Sequence, residues 1–148
     1  MASFILGSAA GPPVHSDSDR SLRIAVVFTD FEETKAALRT AAELSAGLQA
    51  AMDIIVAQVV PYPLSLAEPP VPASFTLDRI DDLAHAANVE PGILVYLCRD
   101  VIQTLVPILE TYSIIVMGSK KRWLRSKPEH LAKVLQRQGL HVIVTRHH

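Results

Sequence analysis

The chain has 148 residues, a length typical of a single domain with one hydrophobic core. Hydrophobic residues make up 49% of it, and the formal net charge of -1 argues against a nucleic-acid-binding protein driven by overall positive charge. Cys98 is the only cysteine, so no intramolecular disulfide can form, and a reducing cytoplasm is the expected location. No stretch is apolar and long enough to span a bilayer, and the first residues lack the pattern of a secretory signal.

Residues 1–21 are rich in Gly, Pro, Ser and Asp, a composition typical of a flexible arm. Phe4, Ile5 and Leu6 are the apolar exception within it, and docking of these residues on the domain is the alternative. Regular patterns begin at Leu22. We therefore expect one N-terminal arm and one domain over residues 22–146.

The domain opens with an apolar, β-branched run over residues 22–28, which predicts a strand buried on both faces. Asp30 followed by Glu33 resembles a capping box and predicts the start of a helix that continues to about Leu48. A second strand is predicted over residues 52–60.

Prolines interrupt regular structure after the second strand, as far as Ala73. A short helix with Thr76 as its N-cap is predicted next, followed by a third strand over residues 93–98. Asp100 is a candidate cap for a third helix, in which Pro107 predicts a kink.

The apolar residues 114–117 predict a fourth strand that stops at a tight turn at Gly118. Ser126 with Glu129 forms a second candidate capping box for the last helix. A fifth strand is predicted over residues 141–145.

Strands that alternate with helices predict an α/β protein, because parallel strands need helical crossovers. We expect a five-stranded parallel sheet in the flavodoxin- or Rossmann-like order 3-2-1-4-5, with helices on both faces. Ligands of such sheets bind where the strand order reverses, here between the first and fourth strands. The loops meeting there are residues 29–33 and 118–126.

Both loops contain candidate ligand-binding residues, each with a structural alternative. Asp30 is a candidate contact for a ribose or an adenine, and the alternative is a helix N-cap. The lysines and arginines after Ser119 are candidates for binding a phosphate as point charges, and the alternative is a solvated basic turn. Ser119 itself is a candidate phosphate donor or a turn-forming serine.

Six segments of the chain, in this order and spacing, resemble the universal stress protein family. They are residues 24–30, 33–48, 59–61, 114–119, 134–135 and 142–146, and residues 114–119 give the strongest match. The resemblance covers about residues 22–146. It implies the α/β fold expected above and, for many members, a dimer formed through the last strand.

Nucleotide-binding members of this family carry Gly-x2-Gly-x9-Gly-Ser/Thr after the fourth strand. Gly118 matches the first glycine, but Lys121 stands at the second. The final pair falls on residues 131–132 by counting, or on residues 128–129 when the last helix is the anchor, and neither alignment restores the motif. Lys121 carries a Cβ, and Pro128 has no N–H to offer a phosphate, so the usual phosphate cradle is absent.

The fifth strand lies at an edge of the predicted sheet, yet its centre is apolar. Natural proteins rarely leave such an edge uncovered. The sequence and the resemblance together predict a dimer interface at His141, Val142, Ile143 and Val144. Coverage by the N-terminal residues 4–6 is the competing explanation.

No catalytic or metal-binding pattern is visible. His85, His130 and His141 lack metal-ligand spacing, and neither a Ser-His-Asp nor a paired-carboxylate arrangement stands out. Cys98 is interpreted as a small buried hydrophobic residue. We therefore expect no catalytic residue, no metal and no cofactor.

These inferences favour a cytoplasmic, homodimeric universal stress protein-like domain that works as a regulator or adaptor through protein contacts and does not bind ATP in the usual way. The alternative is a sensor of ATP, AMP or another phosphate ligand. An enzyme acting on a nucleotide has only the analogy of fold behind it. The candidate ligand-binding residues are Asp30, Val60, Gly118, Ser119, Lys120, Lys121, Arg122 and Ser126.

Overall fold

The computed structural model describes residues 3–6, 22–66, 72–120 and 127–147. Its strands and helices alternate after a short first strand. They are β1 (Ser3–Leu6), β2 (Arg23–Val27), α1 (Phe31–Leu48), β3 (Ala51–Val59), α2 (Ala73–Ala86), β4 (Gly92–Cys98), α3 (Val101–Leu109), β5 (Ile114–Lys120), α4 (Lys127–Arg137) and β6 (Val142–His147).

All six strands form one sheet in the order β1-β4-β3-β2-β5-β6. The five strands β2 to β6 are parallel and correspond to the predicted first to fifth strands, so the predicted order 3-2-1-4-5 is confirmed. The prediction succeeded because buried parallel strands read as continuous apolar runs separated by helical patterns. β1 is an addition to this plan, since it pairs antiparallel with β4.

Two apolar clusters cover the two faces of the sheet. On one face, Leu38 of α1 and Ile80 of α2 pack against alternate residues of β2, β3 and β4. On the other face, Leu105 of α3 and Leu135 of α4 pack against the intervening residues of the same strands, such as Val27, Ile55 and Leu94. Helices therefore lie on both faces, as predicted from the right-handed crossovers of a parallel sheet.

Two side-chain caps predicted from the sequence are present. Asp30 is the N-cap of α1, where its Oδ1 accepts a hydrogen bond of 2.7 Å from the Glu33 N–H. Asp100 is the N-cap of α3 and accepts a hydrogen bond of 2.9 Å from the Gln103 N–H. Each carboxylate satisfies a backbone donor that the helix itself leaves unpaired.

Two element boundaries differ from the prediction. α2 begins at Ala73, with Pro72 as its N-cap, so Thr76 lies inside the helix and donates a hydrogen bond of 3.1 Å to the Gln58 side chain. β5 does not stop at Met117 but continues through Gly118 to Lys120, because β6 continues beside it and supplies ladder partners.

The N-terminal residues Ser3–Leu6 lie along β4, at the edge of the sheet opposite β6. They therefore do not cover the edge of β6, and that alternative explanation of its apolar residues is wrong. The other residues of the expected flexible arm lie outside the described part of the chain, so the flexibility stays a prediction. None of the helices that the structure describes is long and apolar enough to cross a membrane.

Candidate functional site

The β2–α1 turn and the end of β5 are neighbours at the carboxyl end of the sheet, where the strand order reverses. β2 pairs with β5 up to Met117. Beyond that pairing, the Thr29 hydroxyl donates to the Gly118 carbonyl at 3.4 Å. The Thr29 N–H in turn donates to the Thr34 hydroxyl at 3.1 Å, which ties the turn to the first turn of α1. The two loops predicted to meet at this end of the sheet are therefore neighbours, and their role as a ligand site stays a prediction.

Gly118 serves the packing of α1 against β5. A Cβ built at this position would lie 2.2 Å from the carbonyl oxygen of Glu33 and 2.6 Å from its carbonyl carbon, and both are backbone atoms in the first turn of α1. Only glycine allows this approach without displacing the helix. The one glycine that matches the phosphate-binding pattern is therefore required by the fold itself.

Ser119 lies inside β5, next to Arg146 of β6 in the register, and its side chain is fully buried. The interpretation of Ser119 as a turn-forming serine is wrong, because the strand continues past it. A role as a phosphate donor remains a prediction, and it would require its buried hydroxyl to become accessible to the ligand.

Val60, the third part of the predicted site, follows β3 and is completely buried. Its N–H donates a hydrogen bond of 2.9 Å to the Cys98 carbonyl, and its carbonyl accepts one of 2.8 Å from Nη1 of Arg99. The Val60 N–H is therefore already bonded to β4 and is not available as a donor to the nucleobase of a ligand. Arg99 was not a candidate in the sequence, because nothing local links it to a residue 39 positions earlier.

The remaining candidate ligand-binding residues follow Ser119. Lys120 ends β5, and nothing is described of its side chain. Lys121, Arg122 and Ser126 lie outside the described residues, so the basic loop and the second capping box stay predictions.

An aromatic and arginine cluster covers the same end of the sheet on the α1 and α2 face. Phe28 and Phe31 meet edge to face, with ring centroids 5.1 Å apart. The Arg79 guanidinium lies 4.1 Å from the Phe31 centroid and 5.7 Å from that of Phe75. Such cation–π stacking holds the start of α1 against α2. Helical spacing in the sequence predicted α2, but no local pattern indicates that Arg79 contacts Phe31 of α1.

At the opposite end of the sheet a buried ionic cluster joins β2, β3 and the α3–β5 connection. Asp53 accepts hydrogen bonds at the same oxygen from Arg23 at 2.6 Å and from the Tyr112 hydroxyl at 2.7 Å. Burial raises the pKa of Tyr112, and the hydrogen bond to Asp53 raises it further. This cluster lies far from the predicted ligand site, and no local sequence pattern indicated it.

The sixth strand forms an open edge of the sheet. Among the described strands β6 pairs with β5 alone. Ile143, at the centre of the predicted dimer interface, is 36% exposed, His141 is exposed, and Val142 and Val144 are half-buried. The apolar edge expected from the sequence is therefore present.

Two features bear on reactivity and metal binding in the described residues. Burial raises the pKa of the free Cys98 thiol, which makes it a poor nucleophile. No group of three His, Cys, Asp or Glu side chains in the described ranges has the geometry to hold a metal ion.

Comparison with solved structures identifies the fold. A universal stress protein from Archaeoglobus fulgidus superimposes with a TM-score of 0.63 at 16% identity, over 83% of this chain and 92% of that one. The A. fulgidus protein in complex with dAMP gives a TM-score of 0.60 at 14% identity, over 84% and 96% of the two chains. A universal stress protein in complex with cAMP gives a TM-score of 0.56 at 18% identity, over 84% and 95%. No model of a known protein family and no curated protein sequence matches the chain.

Proposed function

We propose that this chain, which has the fold of the universal stress proteins, is a homodimeric regulatory or adaptor domain that does not hold ATP in the way of the family's nucleotide binders. It works in the cytoplasm through protein contacts and carries out no reaction of its own. The observation that carries the proposal is the position of Gly118. Its missing Cβ makes room for the backbone of Glu33, so the glycine is explained without a phosphate.

Two further features support this reading. Lys121 replaces the second glycine of the phosphate-binding pattern, and the last pair is Pro128 with Glu129 when the last helix is the anchor, or Leu131 with Ala132 by counting. In the anchored alignment, proline offers no N–H to a phosphate, and glutamate adds a negative charge to the stretch of sequence where the pattern would bind an anion. We infer that these residues do not accommodate the phosphates of a nucleoside triphosphate.

We expect the purified protein to contain no nucleotide. The measurement is heat denaturation of protein taken directly from cells, followed by nucleotide analysis of the supernatant and by calorimetric titration with ATP and AMP up to about 1 mM. A triple variant, Lys121→Gly with Pro128→Gly and Glu129→Ser, is expected to gain affinity because it restores the cradle residues. Stoichiometric ATP in the wild-type supernatant would overturn the proposal.

The second candidate function is a sensor of AMP or a related phosphate ligand. Two solved structures with this fold are complexes with cAMP and with dAMP, and Asp30 lies at the same end of the sheet as the candidate loop. Asp30→Ser separates the two readings, because serine keeps the N-cap but removes the carboxylate. AMP binding by the wild type that weakens about tenfold or more in Asp30→Ser would favour the sensor.

The dimer is expected to form through the open edge of β6. Two copies related by a twofold axis can pair their β6 strands, which buries Ile143 and satisfies the edge backbone groups. Ile143→Lys places a charge in this interface, and we expect a monomer by light scattering. Leu64→Lys is the matched control, because Leu64 is also apolar and exposed, at 44%, but follows β3, which β2 and β5 separate from β6 in the sheet. A dimer in both variants would place the interface elsewhere.

A further inference from the structure

β4 is the last parallel strand on the side of the sheet opposite β6, and its residues are more deeply buried than those of β6. All residues of β4 from Ile93 to Cys98 are buried, the most exposed being Tyr96 at 9%. The groups around them are apolar on both faces, with Ile93 and Val95 in one cluster and Leu94 and Tyr96 in the other. An uncovered strand of this kind is a template for pairing with another chain.

β1 covers this edge in a distinct way. It is the one antiparallel strand of the sheet among the described residues, and its four residues pair with Leu97, Tyr96, Val95 and Leu94 in turn. An antiparallel strand can be added to a sheet without a helical crossover, so the pairing does not depend on how β1 is connected to the rest of the chain.

The connection to the rest of the domain is long compared with the distance it has to cover. β1 and β2 are three sheet positions apart, which is about 14 Å at the usual strand spacing. Residues 7–22 supply about 50 Å of chain at full extension. The tether therefore permits β1 to dock and leave as a separate unit, without disturbing β2.

We propose that the edge of β4 from Leu94 to Leu97 is a docking site for an extended apolar segment, and that residues 3–6 of the chain are its occupant. Occupancy replaces the seven-residue edge of β4 by the four-residue edge of β1, and very short edge strands are poor templates for pairing, so that chains associate at β6 and not at both ends of the sheet. Closed dimers form when only one edge is long enough to pair, whereas two such edges allow growth into chains. The docking site rests only on the observed pairing of β1 with β4. The second part of the proposal, that β1 prevents association of chains at this edge, is called the guarding role, and it also rests on the proposed β6 dimer.

Docking is tested with the full-length chain carrying Phe4→Pro and Ile5→Pro. Neighbouring residues of a strand point their N–H groups to opposite sides, so one of the two prolines removes a ladder hydrogen bond in either register. Alternate amides of Leu94–Leu97 face β1, and we expect these to exchange with deuterium at least about tenfold faster than in the wild type, while those that face β3 serve as the internal reference. A variant with prolines at Ala9 and Ala10 is the control, since these positions lie outside β1. Unchanged exchange in the β1 variant would overturn the docking site.

The guarding role is tested by light scattering over a range of protein concentrations. The β1 double-proline variant is expected to grow in mass with concentration, while the control keeps the mass of the wild type. A synthetic peptide of residues 1–8 at about 1 mM, comparable to the effective concentration of a tethered segment, is expected to reverse this growth. A scrambled peptide of the same composition is not. Constant mass in the β1 variant would overturn the guarding role, while faster exchange would still confirm the docking.

Adding Ile143→Lys to the β1 double-proline variant separates this inference from the proposed dimer. If β6 is the dimer edge, the combined variant has only the β4 edge left, and its association is expected to stop at a dimer. If chains still grow in the combined variant, the β6 interface is wrong. The exchange of Leu94–Leu97 reports on the β4 site in either case.

Discussion

Replacing Gly118 by alanine is expected to lower the free energy of unfolding by about 3 kcal/mol, the upper range for forcing one extra carbon into a packed site. The added Cβ would meet the Glu33 carbonyl group at 2.2 Å from its oxygen. Backbone atoms in the first turn of a helix cannot swing aside as a long side chain can. The start of α1 therefore has to move away from β5, which also disturbs the Asp30 cap and the Thr29 contact.

For a domain of this size the change corresponds to a fall of about 6–12 °C in the melting temperature. Thermal and chemical denaturation followed by circular dichroism measure it. Gly47→Ala is the matched control, because a Cβ at Gly47 in α1 meets nothing within 4 Å. Alanine in a helix is more favourable than glycine, so the control is expected to gain about 0.5–1 kcal/mol. Equal stability of the two variants would refute the packing role of Gly118.

Replacing Asp53 by alanine is expected to lower the free energy of unfolding by about 3 kcal/mol. The substitution leaves the Arg23 charge without its partner and removes the acceptor of the Tyr112 hydroxyl. Side-chain exposures of 21% for Arg23 and 12% for Asp53 keep most solvent away from the pair. The estimate lies at the lower end of the range for broken buried ion pairs, because Arg23 retains some contact with water.

A double variant tests whether the unpaired charge is the cause. Arg23→Met with Asp53→Leu removes both charges and fills the space with apolar atoms, so it is expected to be more stable than Asp53→Ala alone. Asp82→Ala, at an exposed position of α2, is the control and is expected to stay within about 0.5 kcal/mol of the wild type. If the double variant is less stable than Asp53→Ala, packing and not charge pairing dominates at this position.

The fold was predictable because its signals are local in the sequence. The apolar runs over residues 22–28, 52–60 and 93–98 mark parallel strands that helices cover on both faces. Asp30 and Asp100 marked two helix starts correctly, because a capping carboxylate acts on a backbone group only three residues away.

Local reasoning failed where a distant element sets the boundary or adds a strand. Gly118 and Ser119 read as a turn, but β6 extends the strand through them. The apolar character of Phe4, Ile5 and Leu6 indicated docking on the domain but not the position of docking. Only the pairing register places them on β4, at the edge opposite the one that the competing explanation assigned to them.

The sequence by itself determined the α/β fold, the strand order and the absence of the family's glycine pattern, and it predicts the end of the sheet where a ligand would bind. Only the tertiary structure decided what the surviving residues do. Gly118 admits the backbone of α1, the Val60 carbonyl is held by Arg99, and Asp53 joins Arg23 to Tyr112. The physical reason is that each of these contacts joins residues 30 or more positions apart, where neither periodicity nor capping patterns carry information.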